Sequence, residues 1–422
     1  MLPPRVVITG MGAVAPGGHD VPAYWASLAS GRSSVGAISL FDASRLPCSV
    51  AAEVRGFPVH EFLPPKTQRL GLRVVAFSLA AATEALAQAG LDPARLEQEQ
   101  LERFGVIVGT GAGGIEFGER QYGVFYAANG HANGHKVSPY AVLGSFVGML
   151  SSEINMAFGL KGMSHVISTG CTSASDAMGY AHASIRSGAV DMVLTGGAEA
   201  CIAEGIMTAF CRMGTMTTTH NDDPAGASRP FNRDRNGFVM GEGAWMLVFE
   251  RLESALARGA TILAEVAGYA STCDAYHRVR PEPSGEEAAR AITLALAQAG
   301  TAREEVGYLS LHGTATELND RIETRAVRLA FGDLAPGIPT SGIKSMIGHA
   351  QGACGAAAAI ATVCALREGF LPPTINYSEP DPACDLDYVP NVGRPAQIDA
   401  AVVNTIAFGS KNSALVVRRY CA

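Results

Sequence analysis

Val166-Ile167-Ser168-Thr169-Gly170-Cys171-Thr172-Ser173-Ala174-Ser175 decides how this chain is read. A β-branched pair leads into Ser, Thr and Gly, and small residues then run on to Arg186-Ser187-Gly188. That is a strand, a sharp turn and a helix. A second segment has the same layout. Ile343 leads through Gly348-His349 and Gly352 into an Ala-rich run that stops at Arg367-Glu368-Gly369. The bounding glycines stand 18 residues apart in the first segment and 17 in the second. Helices so rich in Ala, Gly and Ser are predicted to be packed closely on several sides. The pair suggests two similar halves with these helices buried between sheets.

Outside these segments, short β-branched runs ending in glycine alternate with helical stretches. Val6-Val7-Ile8-Thr9-Gly10, Val106-Ile107-Val108-Gly109 and Met192-Val193-Leu194-Thr195-Gly196 are such runs, and Ala76–Ala89 and Glu286–Ala299 are such helices. This alternation predicts an α/β fold around buried sheets. We place the boundary between the halves at residues 255/256, with the nucleophile candidate in 1–255 and two histidine candidates in 256–422. The 422 residues are 48% hydrophobic and 17% charged, which suits a large core. Gly10-Met11-Gly12 and Gly109-Thr110-Gly111 look like dinucleotide fingerprints, but Pro16-Gly17-Gly18 and Gly113-Gly114 interrupt the helix such a motif needs. We read both as tight turns at strand ends.

The net charge of -7 argues against nucleic acid as a partner. Nine scattered cysteines without a C-x-x-C pair give no zinc-site pattern and suit a reducing compartment. MLPPRVVITG lacks the features of a secretory signal, and no apolar run reaches the roughly 18 residues of a membrane span. A cytoplasmic protein without a metal is expected.

A cysteine at the head of a helix sits in a positive field that favours thiolate, although a small buried cysteine is the competing reading. His312 in Leu311-His312-Gly313-Thr314 and His349 in Lys344-Ser345-Met346-Ile347-Gly348-His349 each follow a strand-like run, where sites of α/β sheets gather. A cysteine with two histidines suits carbon–carbon bond formation by decarboxylation. The thiol carries an acyl group, and two imidazole N–H groups stabilise an enolate.

At these residues the chain resembles the β-ketoacyl-acyl carrier protein synthases of the thiolase-like superfamily. The nearest likeness is to elongating synthase II and to ketosynthase α subunits of type II polyketide systems. Further matches are Ser228-Arg229-Pro230-Phe231, Gly237-Phe238-Val239-Met240-Gly241-Glu242-Gly243 and Leu371-Pro372-Pro373-Thr374-Ile375-Asn376. The resemblance extends from Arg5 to Arg419. It implies a five-layer αβαβα fold and a dimer, either of two copies or with a chain-length-factor-like subunit. It implies that Cys171 is acylated, that His312 and His349 support decarboxylation, and that Lys344 orients them, assisted by Glu323, which is expected among the substrate-binding residues. Thr314 and Thr316 would bind the phosphopantetheine arm, which arrives on an acyl carrier protein, so no resident cofactor is expected. Phe408 would gate the acyl pocket and share the oxyanion hole with Cys171, and Ala112 would line the pocket. Lys66, Arg69 and Arg73 would dock the carrier, with a solvated helix face as the competing reading.

The chain also departs from the family. The usual Gly-Phe-Gly-Gly gate reads Ala407-Phe408-Gly409-Ser410, Ile406 replaces a common Phe, and Ala112 replaces a residue often bulkier. His131 and His135 lie in a near-duplicated insert read as a surface loop, with metal binding as the lesser alternative. Gly170 and the altered gate favour a polyketide-type catalytic subunit over primary fatty acid elongation. The rival classes are a noncatalytic partner subunit, a nicotinamide oxidoreductase and a coenzyme-A thiolase.

Overall fold

A computed structural model describes residues 3–127 and 134–421. His131 lies outside the described residues, while His135 is exposed. The main sheet uses, in chain order, Val6–Val14 (β1), Phe104–Gly109 (β2), Ser164–Ile167 (β3), Met192–Glu199 (β4), Gly243–Arg251 (β5), Ala264–Cys273 (β6), Val306–Ser310 (β7), Thr340–Ser341 (β8), Ala400–Ala407 (β9) and Lys411–Arg418 (β10). Their spatial order is β8-β7-β9-β10-β6-β1-β5-β4-β2-β3.

Read inward from its two edges, that order repeats. Each half begins with three parallel strands, β3-β2-β4 or β8-β7-β9. Two antiparallel strands follow in each, β5-β1 or β10-β6. The halves are joined where β1 meets β6, over only three residue pairs from Val6–Val266 to Ile8–Ala264. The similarity of two halves, read from one pair of segments, thus extends to every strand of the sheet.

Helices complete the five layers. Arg73–Gln88 (α1) covers the first half of the sheet, Glu286–Ala299 (α3) covers the second, and Glu317–Phe331 (α4) packs on α3. Ser173–Arg186 (α2) and Cys354–Glu368 (α5) touch each other and both sheets. Every residue of α5 from Cys354 to Leu366 is buried. No described helix is long and apolar enough to cross a membrane.

Small residues set the spacing of these layers. A Cβ on Gly355 of α5 would stand 2.2 Å from Ser175 Oγ of α2, and one on Gly109 of β2 would stand 2.4 Å from the Ala174 nitrogen. Gly10 and Gly12 correct the reading of a turn there, because β1 runs through both to Val14. A Cβ at either would meet the Ala85 or Ala81 carbonyl oxygen of α1 at about 2 Å. The glycines let helix and strand approach, and the strand continues through them with a register shift between Ile8 and Gly10.

Gly109→Ala tests this spacing. The added methyl is expected to lower stability by about 3 kcal/mol, read as a lower urea midpoint at unchanged slope. An unchanged midpoint would show that the middle layer has room to move.

Candidate active site

The C-terminal ends of the parallel strands converge on one place, as expected for an α/β sheet. Cys171 follows β3, the 110–112 loop follows β2, His312 follows β7, and Lys344 and His349 follow β8. The turn at Cys171 is built locally. Gly170 takes a left-handed φ of 74°, Ser173 Oγ donates to the Gly170 carbonyl at 2.6 Å, and it accepts from the Thr169 nitrogen at 2.9 Å. On α2, Asp176 accepts from Thr169 Oγ1 at 2.5 Å and from the Tyr269 hydroxyl at 2.8 Å, which ties the turn to β6.

Cys171 Sγ lies 3.1 Å from His349 Nε2. The His312 and His349 ring centroids are 5.2 Å apart at 88°. Lys344 Nζ donates to the His312 carbonyl at 2.6 Å and lies 3.4 Å from His312 Nδ1. Lysine only donates, so Nδ1 accepts and the His312 proton sits on Nε2. All four side chains are buried. Burial, reinforced by the Lys344 charge, holds both imidazoles well below their usual pKa, so both are neutral at pH 7.

The expectation of a thiol acidified by its helix is overturned. Burial pushes Cys171 up to about 12, and the neighbouring Cys354 adds to this, while Lys344 and the Phe408 N–H act against it. Removal from water outweighs the Lys344 charge and the Phe408 N–H, so Cys171 rests as a thiol whose natural proton acceptor is His349.

A cavity of about 410 Å³ reaches Cys171, His312 and His349 past Thr314, Thr316 and Phe408. The two threonine hydroxyls are 2.9 Å apart. Ala112 is partly buried in an apolar cluster with Met240, Ile206, Phe210 and Phe408, the last of which lines the cavity. Glu323 is corrected from its expected placing. It is wholly buried behind His312, accepting from the nitrogens of His312 at 2.6 Å and Gly313 at 2.8 Å, and it does not line the cavity. Among the described residues no carboxylate pairs with Lys344.

Lys66, Arg69 and Arg73 do not share a helix. Lys66 precedes a 3-10 turn at Gln68–Leu70, and α1 begins at Arg73. Arg73 pairs with buried Glu242 and lies over the Phe77 ring, so it is structural; Lys66 and Arg69 are exposed.

The ligand atoms of Cys171, His312 and His349 lie within 4.8 Å of one another, a spread that a metal ion can bridge. The charge of Lys344 disfavours a cation there, and a protonated Cys171 is a poor ligand, so the donor set fits an organic substrate better.

The gate departs from glycine in an informative way. Ser410 holds a left-handed φ of 63°, and its hydroxyl donates to the His277 carbonyl at 2.9 Å while accepting from the nitrogens of Tyr276 and His277. The serine latches the gate to the 276–277 segment.

Sequence reading missed Glu199, Gln351, Cys354 and Asn404. Glu199 closes β4 wholly buried; it accepts from the nitrogens of Gly111, Ala112 and Gly352 and from Thr110 Oγ1. A carboxylate ending the apolar run Val193–Ala198 was the available signal. Cys354 Sγ donates to the Cys171 carbonyl at 3.2 Å, and Asn404 Nδ2 donates to Glu323 at 2.6 Å. Nothing in their local sequence marks either.

Comparison with known proteins bears on the whole chain. Residues 4–255 match the N-terminal domain of the beta-ketoacyl synthase family and residues 263–378 its C-terminal domain. The chain is 40% identical over 416 residues to the 3-oxoacyl-[acyl-carrier-protein] synthase 2 of Synechocystis, covering 99% of this chain and 98% of the relative. It is 41% identical over 417 residues to the tetracenomycin polyketide synthase ketoacyl synthase alpha subunit of Streptomyces glaucescens, covering 98% and 97%. Its fold is similar to a ketosynthase solved as AntDE:AntF, a type II polyketide synthase acyl-carrier protein in complex with its hexaketide-bound ketosynthase. The TM-score is 0.91, with 31% identity over 99% of this chain and 100% of that one.

The protonation state is open to test. Alkylation of Cys171 by iodoacetamide is expected to rise about tenfold per pH unit from pH 6 to 9 without levelling, because the thiolate fraction grows until pH approaches the raised pKa. A plateau near neutrality would reveal a preformed thiolate–imidazolium pair.

Proposed function

The chain belongs to the β-ketoacyl synthase family, and on that premise we propose that it is the catalytic subunit of a polyketide-type condensing system. The 3.1 Å approach of Cys171 Sγ to His349 Nε2, with His312 alongside, carries this reading.

In the first half-reaction Cys171 attacks an acyl thioester on the carrier arm. A new C–S bond forms, the carrier's C–S bond breaks, and the Cys171 proton passes through His349 to the departing thiol. The backbone N–H groups of Cys171 and Phe408 hold the oxyanion, a role supported by the Phe408 N–H being directed at the sulfur. In the second half-reaction a malonyl thioester enters along Thr314 and Thr316, whose hydroxyls bond its phosphopantetheine amides. Carbon dioxide leaves, and the electrons of the broken C–C bond pass into a thioester enolate. Neutral His312 meets the enolate oxygen with its Nε2–H, and His349 does so once its single proton has moved from Nδ1 to Nε2 by exchange with solvent in the cavity. The carbanion then attacks the acyl-cysteine carbon, the C–S bond to Cys171 breaks, and the departing thiolate takes up a proton from solvent. Lys344 keeps the His312 proton on Nε2. No resident cofactor is required.

An acidic carrier protein is the natural partner of Lys66 and Arg69. A second chain of this fold, identical or chain-length-factor-like, suits the surface around β3. That edge strand is partly exposed, and Tyr122, Tyr126, Phe146 and Met156, all between 58% and 70% exposed, lie in the preceding segments. An uncovered apolar edge invites pairing. A cytoplasmic location accords with nine unpaired cysteines.

Intact-mass analysis with acyl- and malonyl-carrier proteins is expected to show an acyl adduct on Cys171 and an extended product. A single condensation that stops at the β-ketoacyl product, with no further extension of it, would instead favour primary fatty acid synthesis. Cys171→Ala is expected to abolish condensation while malonyl decarboxylation persists; undiminished condensation would end the mechanism. His312→Ala and His349→Ala are each expected to slow carbon dioxide release about a hundredfold. Charge reversal at Lys66 and Arg69 is expected to weaken carrier binding about fivefold at low salt, with the difference shrinking as salt rises.

A further inference from the structure

Gln351 is 7% exposed and holds a left-handed φ of 39° beside the nucleophile. Left-handed backbone is uncommon for a residue with a side chain, and such strain gathers at functional sites. The backbone is held there by its neighbour, since the Gly352 nitrogen donates to Glu199 at 2.9 Å.

The carboxamide is poorly satisfied. Its Oε1 lies 3.8 Å from Cys171 Sγ and its Nε2 3.5 Å from Met240 Sδ, and among the described residues these sulfurs are its side-chain partners. Sulfur is a weak hydrogen-bond partner, so a buried amide in this position retains unmet bonding capacity. The surroundings give no structural reason for an amide. Met240 also contacts Cys201 Sγ at 3.5 Å and packs among Ala112, Ile206, Phe210 and Phe408. Leucine would fill such a place without loss.

Acylation changes the balance. The thioester oxygen is held by backbone N–H groups, and the carboxamide, 3.8 Å from Sγ, is within reach of the next atoms of the acyl chain. An acylated sulfur offers Oε1 no donor, so rotation about the terminal side-chain torsion turns Nε2–H toward the acyl group. A β carbon is three bonds from the sulfur, within the shell that Gln351 occupies. We propose that Gln351 is a specificity-determining residue that donates to a β-carbonyl oxygen of the acyl group on Cys171. The enzyme thereby prefers to be loaded with β-ketoacyl groups over fully reduced ones. This rests on the condensing role of Cys171 and names its substrate class.

The test compares loading of Cys171 by acetoacetyl- and butyryl-pantetheine thioesters, read by intact mass over time, in the wild-type protein and in Gln351→Leu. Wild type is expected to load acetoacetyl about tenfold faster than butyryl, because only the ketone satisfies the amide. Gln351→Leu is expected to bring the two rates to parity, chiefly by slowing acetoacetyl, while butyryl loading is kept. A wild-type preference for butyryl, or one ratio shared by both proteins, overturns the role of Gln351 and leaves the condensing reading intact. No Cys171 adduct from either thioester overturns both. Where Gln351→Leu fails to fold, Gln351→Met gives the same comparison, and a ratio unchanged from wild type in that variant overturns the role of Gln351.

Discussion

The distance at which two helices can pass between two sheets governs the rest of this structure. The middle layer admits α2 and α5 only because Gly109, Gly355 and their neighbours present almost no side chain. Close-packed interiors leave no slack for an added methyl at such contacts. The same closeness brings the start of α2, with Cys171, against the turn after β8, with His349. The nucleophile and its proton acceptor come from different halves of the chain. Their 3.1 Å separation follows from the packing of the layers and needs no flexible loop to close it.

Much of this was legible in the sequence, for physical reasons. Strand–turn–helix segments carry their own signals, and small residues along a helix announce close approach. Both therefore pointed to Cys171, to His349 and to a paired architecture. The glycines of β1 were misread because a glycine that admits a neighbouring helix and one that turns the chain look alike in one dimension. The basic group Lys66, Arg69 and Arg73 failed for another reason: the helix begins later than the spacing implied, and Arg73 is claimed by Glu242, which lies 169 positions away. Pairings of that kind leave no local trace. The same holds for Asn404 and Cys354, whose importance lies in what the fold sets beside them.

Burial also reverses the expected electrostatics. A helix start favours an anion, yet burial pushes the thiol up and both imidazoles down and so keeps sulfur and both imidazoles uncharged. Lys344 adds a fixed charge that serves less as an acid than as a way of assigning a tautomer. The site is a set of neutral donors arranged around a place where charge will form, which lowers the reorganisation needed when it does.

Glu199 ties this arrangement together in a way that bears on inheritance. One carboxylate fixes the backbone at Gly111, Ala112 and Gly352, so both walls beside the nucleophile share an anchor that sequence distance conceals. Lengthening either segment would break bonds on the opposite wall. Lineages that keep the anchor are therefore confined to changing side chains on a fixed frame, and positions 112 and 351 become the free variables. Divergence in what such enzymes accept should be written in single substitutions at those positions, with Glu199 drifting little.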